Sequence, residues 1–267
     1  MKNNTRTDDA YLEFYQQSWA GAYSFWHKII NRGKKQVAFL TEALSAFSKS
    51  KLKILDLGCG EGDEIAKAIK NLKNKEVEIF ANDTSLEALA RYQENNQESF
   101  RRAILGRLEN VPDRLKLDKE FDLILFSHCL YGVNTQGLFE KFIPMLKDGG
   151  QLLIFLDSQE CALAKIRAKF RETVGNMAEE VMDGLFEAGI FFEGSFFSYD
   201  IDLEKLKFID PNGINNLLIP FSMRKNDLSE EIKKEIAVFI DSLNVDEKIS
   251  GNAAIITIRR DENESRF

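Results

Sequence analysis

The chain is poor in the residues that most often announce a specialised chemistry. Only two of its 267 residues are histidine, three are cysteine, four proline and two tryptophan. Cys59, Cys129 and Cys161 form an odd, scattered set without C-x-x-C spacing, so neither a metal site nor a disulfide framework is indicated. A reducing, cytoplasmic setting fits that usage. The formal charge of −7 carries no basic block, which argues against nucleic acid and anionic membrane surfaces as partners. No apolar run is long enough to span a bilayer, and Met1 to Asp9 is polar, without the apolar core of a secretion signal. Internal repeats and low-complexity linkers are also missing. What remains is an ordinary globular composition, 44% hydrophobic and 30% charged, enough to bury a full core as one domain with additions.

The informative stretch is Lys51-Leu-Lys-Ile-Leu-Asp-Leu-Gly58-Cys-Gly60-Glu-Gly62. Ile54, Leu55 and Leu57 end at three alternating glycines, and Ile65, Ala68, Ile69 and Leu72 then recur at helical spacing, which predicts strand, tight loop, helix. Such a loop lets a ligand approach the backbone where a side chain would collide. A dinucleotide fingerprint would place its third glycine where Asp63 stands. Glu61, Asp63 and Glu64 also crowd acid where a pyrophosphate would bind, so phosphate ligands are disfavoured. The plain alternative is a turn that collects glycine for structural reasons.

Around this loop the pattern alternates. Tyr11 to Phe47 is helical and dense in aromatics, with Tyr15, Trp19, Tyr23 and His27 early in it. It reads as a cap on the main domain, and its aromatics are candidates for an acceptor-lining lid. Glu76 to Asp83 is a strand that ends in an acid about twenty residues beyond the glycines, a position from which a carboxylate can take ribose hydroxyls. Thr84 with Glu87 offers a capping box for a helix over 86–95. Arg102 to Leu105 is a third short strand. Phe121-Asp-Leu-Ile-Leu-Phe126 is a near-continuous apolar run, the pattern of a strand covered on both faces, and it delivers Ser127, His128 and Tyr131 to the carboxyl edge of the sheet. A histidine there is either a general base or a structural hydrogen-bonding residue, and Tyr131 either pocket wall or core. Leu138 to Leu146 predicts an amphipathic helix closed by Gly149-Gly150 before a strand over 151–156. Helices near 161–174 and 178–188, an aromatic strand over 195–201, a stretch over 210–224 that does not fit a simple βα repeat, a helix over 229–243 and a last strand over 252–258 follow.

Asp56 followed by G-x-G-x-G resembles motif I of the class I S-adenosylmethionine-dependent methyltransferases. Leu146-Lys-Asp-Gly-Gly-Gln-Leu-Leu-Ile154 is similar to a second typical segment of that family. The resemblance covers about Lys51 to Ser158. It implies an α/β fold: a Rossmann-like, seven-stranded, mostly parallel sheet with helices on both faces, an N-terminal helical lid over 1–50, a cofactor core over 51–158 and, over 159–267, completion of the sheet with an acceptor-covering insertion. It implies S-adenosylmethionine as cofactor, held by Asp56, Gly58, Cys59, Gly60, Gly62, Asp83, Thr84 and Ser127. His128 is the nominated base, and Tyr15, Trp19, Tyr23, His27 and Tyr131 are candidate acceptor contacts. Local acid suits a cofactor that is cationic at sulfur and nitrogen. Phe121-Asp-Leu-Ile, Leu130-Tyr-Gly-Val133 and Asn212-Gly213 before Leu217-Leu218 are similar to histamine N-methyltransferase and its relatives, which implies a small-molecule acceptor such as an amine. That group carries glutamine where this chain has His128, so its acceptor chemistry does not transfer. No N-P-P-Y or D-P-P-Y follows the fourth strand, which argues against nucleobase amino-methylation. The rival expectations are a non-catalytic protein binding the same cofactor or its product, and a nicotinamide-dependent oxidoreductase.

Overall fold

The computed structural model describes residues 26, 28–170, 175–223 and 228–260. Seven strands form one sheet: β1 (Lys51–Leu57), β2 (Glu76–Asp83), β3 (Phe100–Leu105), β4 (Phe121–Ser127), β5 (Leu146–Asp157), β6 (Glu193–Asp202) and β7 (Lys248–Arg259), hydrogen-bonded in the order 3-2-1-4-5-7-6. The pairs β3–β2, β2–β1, β1–β4 and β4–β5 are parallel. β7 runs against β5, because the Gly149 N–H reaches the Arg260 carbonyl at one end and the Ser158 N–H reaches the Asn252 carbonyl at the other. The sheet is therefore mixed and mostly parallel, as the resemblance implies. Its order reverses between β1 and β4, and that switch point is where open α/β sheets place ligands.

Ten α-helices accompany the strands among the described residues: α1 (Arg32–Ala46), α2 (Asp63–Lys70), α3 (Leu86–Asn95), α4 (Val111–Leu115), α5 (Phe139–Phe142), α6 (Ala162–Lys169), α7 (Ala178–Glu187), α8 (Leu203–Ile209), α9 (Ile219–Met223) and α10 (Glu230–Leu243). None is long and apolar enough to cross a membrane.

The chain divides into two compact units. One comprises Lys34–Leu156, Glu180–Ser195 and residues from Ala254 on. Its core is built on Ile54, Leu55 and Leu57 of β1 and on the apolar run of β4, Phe121 to Phe126, all buried, as strands covered on both faces require. The other comprises the described residues up to Gly33 and those within Asp157–Glu179 and Phe196–Ala253. There Trp26 stacks on Phe221 at 4.3 Å, and a buried network joins Arg32, Asp157, Tyr199 and Cys161. Asp157 Oδ1 accepts from the Arg32 guanidinium at 3.0 Å and from the Tyr199 hydroxyl at 2.9 Å.

Two expectations need correction. The helix over 138–146 is only α5 plus a 3-10 turn, Ile143–Met145, and β5 already begins at Leu146. Pro144 has no N–H to donate into a longer helix. Gly149 and Gly150 then lie inside β5, where pairing with β4 slips between Phe121↔Leu146 and Leu123↔Gln151. They serve a bulge rather than a helix end. The cap of α3 is Ser85, whose side chain accepts the Ala88 N–H at 3.2 Å, so the Thr84–Glu87 box is displaced by one residue. The stretch from Asp210 to Met223 is, as expected, no simple βα repeat but a succession of short helical turns. Asp210 accepts from the Asn212 N–H and the Asn216 amide, leading into a five-residue π-helix, Ile214–Leu218, and then α9.

Candidate active site

The site lies at the carboxyl edge of the sheet, within the first unit. β1 ends at Leu57, and Gly58, Gly60 and Gly62 follow with φ of 56°, 56° and 72°, all in the left-handed region that L side chains avoid. Sequence reasoning assigns the missing Cβ atoms to a ligand. The structure assigns two of them to the chain itself. A Cβ on Gly58 would sit 2.3 Å from Cys129 Cβ, and one on Gly62 would sit 2.5 Å from the Tyr92 ring.

Backbone and side-chain bonds hold the loop from below. The Cys59 N–H donates to the Asn82 carbonyl at 2.9 Å, and the Gly60 N–H donates to Asp83 Oδ2 at 3.0 Å. Asp83 Oδ1 accepts the Ser85 N–H at 2.8 Å, so this carboxylate ties the glycine loop to the entry of α3. Asn82, also buried, spends its amide on the carbonyls of Ile104 and Gly106. From α3, Arg91 pairs with Glu61, Asn95 reaches the Glu61 carbonyl and Asp63, and Asn96 reaches the Gly62 carbonyl. The helix that follows the second strand thus braces the loop that follows the first.

Electrostatically the site is acidic. Asp56 is buried, accepts the Tyr92 hydroxyl on Oδ2 at 2.8 Å, and has no partner for Oδ1 among the described residues. Burial pushes its carboxyl up to about 8, opposed by the Tyr92 hydrogen bond and reinforced by the charges of Asp83 and Glu64. Burial also raises Asp83, against the N–H groups of Ser85, Gly60 and Thr84. The Cys59 and Cys129 thiols are pushed well up, by burial first and then by the same two aspartates, so neither is a ready nucleophile.

The adjacent strand supplies the rest. β4 ends at Ser127, and His128 takes a left-handed φ of 54°. Its N–H donates to the Phe155 carbonyl at 2.8 Å. Nδ1 lies 2.8 Å from the Tyr131 hydroxyl and Nε2 lies 2.6 Å from the side-chain amide of Gln36, a buried residue of α1. A strained backbone holding a doubly bonded histidine at a strand end marks a place the fold over-determines.

Asp56, Gly58, Cys59, Gly60, Gly62, Asp83, Thr84, Ser127, His128 and Tyr131 therefore all belong to one unit, at or beside its carboxyl edge. Tyr15, Trp19, Tyr23 and His27 lie outside the described residues. Sequence reasoning missed Tyr92, Asn82, Arg91 and Gln36. Tyr92 had one usable signal: it shares the buried face of α3 with Ala88 and Leu89, and a buried phenol needs a partner. No described cluster of three or more His, Cys, Asp or Glu could hold a metal ion.

A family model described as a methyltransferase domain matches residues 48–208. No curated protein matches the chain by sequence. Among solved structures, a Bacillus halodurans C-125 protein assigned as a methyltransferase aligns with a TM-score of 0.59 at 18% identity, over 85% of this chain and 99% of its own. Geranyl diphosphate C-methyltransferase from Streptomyces coelicolor, solved with Mg2+, geranyl diphosphate and S-adenosylhomocysteine, aligns at 0.52 and 14% identity over 85% and 79%. Phosphoethanolamine N-methyltransferase 2 from Haemonchus contortus, solved with phosphomonomethylethanolamine and S-adenosylhomocysteine, aligns at 0.51 and 16% identity over 86% of this chain and 53% of its own. At these identities the solved structures speak for the fold.

Proposed function

Because the chain belongs to the methyltransferase-domain family, we propose that it is an S-adenosylmethionine-dependent methyltransferase that methylates nitrogen or oxygen of a small-molecule acceptor, such as an amine. The observation that carries this reading is the switch-point loop: three left-handed glycines beside two buried carboxylates, one with an unsatisfied oxygen. That donor set suits a cation and disfavours a pyrophosphate. Two of the neighbours, solved with S-adenosylhomocysteine, act on chemically different acceptors, a diphosphate and a phosphoamine, so the fold supports the cofactor reading and leaves the acceptor to be identified.

Asp56, Gly58, Cys59, Gly60, Gly62, Asp83, Thr84 and Ser127 would hold the cofactor. When bound, it supplies a methyl group on a sulfonium, a leaving group already activated. The chain then has to align the acceptor, exclude water and, for an acceptor that arrives protonated, remove a proton. His128 is the base in this reading. The Gln36 amide nitrogen can only donate, so Nε2 is the acceptor and the neutral ring carries its proton on Nδ1, toward the Tyr131 oxygen. Nε2 takes up a proton once the Gln36 contact opens. Tyr15, Trp19, Tyr23 and His27 remain proposed acceptor contacts.

Titration calorimetry with S-adenosylmethionine, S-adenosylhomocysteine and NADH, followed by turnover with a panel of small amines, acids and phenols, tests the proposal. Binding of the first two with methylation of one acceptor class is expected. Binding without turnover across the panel favours a ligand-binding role, and binding of NADH alone overturns the cofactor reading.

A further inference from the structure

We propose that Tyr92 is a positioning residue for the cofactor's cation, fixing Asp56 under the glycine loop so that it loses its proton when the cation binds. The inference rests on the reading above that the loop cradles S-adenosylmethionine. Tyr92 is buried on α3, its ring fills the space a Cβ on Gly62 would need, and its hydroxyl donates to Asp56 Oδ2 at 2.8 Å. The phenol therefore touches both ends of the motif, the acid that precedes the first glycine and the third glycine itself.

That single bond leaves Asp56 half satisfied. Oδ1 is buried with no partner among the described residues. A buried carboxylate with one hydrogen bond is costly when charged. The groups that face Asp56 make it costlier: Asp83 from β2 and Glu64 from α2 are acids, while Cys59 of the loop and Cys129 after β4 are thiols. No described residue brings a positive charge to it. Burial first, then the charges of Asp83 and Glu64, push the carboxyl up to about 8 against the Tyr92 hydrogen bond, so the unliganded site favours Asp56 as the acid. A cation on the loop reverses that balance. The O–H bond of the carboxylic acid breaks, the proton passes to buffer, and the carboxylate that remains keeps its hydrogen bond from Tyr92. Because Oδ1 is covered by protein, its charge acts across the loop rather than by contact.

The test is calorimetry of S-adenosylmethionine binding at pH 7 in two buffers of different ionisation enthalpy, which counts protons released, on wild type, Tyr92→Phe and Asp56→Asn. The ligand's own amino group contributes equally to all three. Wild type is expected to release a large fraction of one proton more than Asp56→Asn. Tyr92→Phe keeps the ring against Gly62 and removes only the hydroxyl, so it should bind about tenfold more weakly, the scale of one hydrogen bond to a charged group, with an altered proton count. Equal proton counts for wild type and Asp56→Asn overturn the inference, as does a Tyr92→Phe protein that matches wild type in both affinity and count. If Tyr92→Phe does not fold, the wild-type and Asp56→Asn comparison decides alone. Absence of any S-adenosylmethionine binding by folded wild type instead defeats the functional reading itself.

Discussion

Two buried aspartates near opposite ends of β1 and β4, Asp122 and Asp56, have opposite surroundings. Asp122, at the amino end of β4, is satisfied on every side: Lys49 and the Lys53 N–H reach it at 3.2 and 2.8 Å, and Lys147 at 2.7 Å. Burial would raise its carboxyl, but those three donors together hold it below the ordinary carboxylate range. Asp56, near the carboxyl end of β1, has among the described residues one neutral donor, two acidic neighbours and an unpartnered oxygen, and is raised to about 8. One edge of the sheet is finished by its own side chains, and the other is left electrostatically open. In the proposed reading, the carboxylate left unsatisfied is the one that serves the bound cation.

Four substitutions break or sharpen that contrast. The largest effect is expected of Gly58→Ala, which needs an alanine at φ 56° with its Cβ against Cys129. Strain and overpacking together should cost about 4 kcal/mol, read as a lower urea midpoint with loss of ligand binding. Asp122→Ala comes next, at about 3 kcal/mol, because it takes a buried acceptor away from three donors. S-adenosylmethionine affinity per folded molecule should be unchanged, and a large loss of affinity would erase the distinction between the edges.

Asp83→Ala should have the reverse profile. It removes the acceptor for the Gly60 and Ser85 N–H groups and the proposed ribose contact. A fall of about 30-fold in S-adenosylmethionine affinity is expected, equivalent to about 2 kcal/mol, with the far-UV spectrum retained. Unchanged affinity would remove Asp83 from the site.

The smallest effect, and the most diagnostic in sign, belongs to Asp56→Asn. A carboxyl raised in the folded state favours folding only while protonated, so its penalty grows as pH rises from its ordinary 3.8 toward about 8. The variant should therefore match wild type near pH 4 and exceed it by about 1 to 2 kcal/mol at pH 8, after discounting for relaxation. Asp122 has the opposite dependence: its depressed carboxyl stabilises the fold above the ordinary value, and that contribution is lost as pH falls into the acid range. Chemical denaturation at pH 4, 6 and 8 separates the two.

The contrast also shows what the sequence could and could not disclose. The framework was legible, because short, mostly apolar runs such as Phe121 to Phe126 fit strands covered on both faces, and the bounds of β2 and α3 are those expected from Glu76 to Asp83 and Leu86 to Asn95. Local competition was harder to read: Ser85 rather than Thr84 caps α3, and the paired glycines near 150 enter a strand bulge rather than end a helix. The candidate site residues that sit in glycine-rich or strand-end positions could be named from the sequence. Their supports could not, since Tyr92 meets Asp56 across 36 residues and Gln36 meets His128 across 92, and no periodicity encodes such pairings. Nor does a sequence tell which glycine makes room for a ligand and which, like Gly58 and Gly62, makes room for the chain's own Cys129 and Tyr92.

The central claim is that the open carboxyl edge receives S-adenosylmethionine, and thermal unfolding of the wild-type protein with S-adenosylmethionine, S-adenosylhomocysteine or NADH tests it most directly. A ligand that binds only the folded state raises the midpoint. The account predicts a rise with the first two and none with NADH. A rise with NADH alone would contradict it.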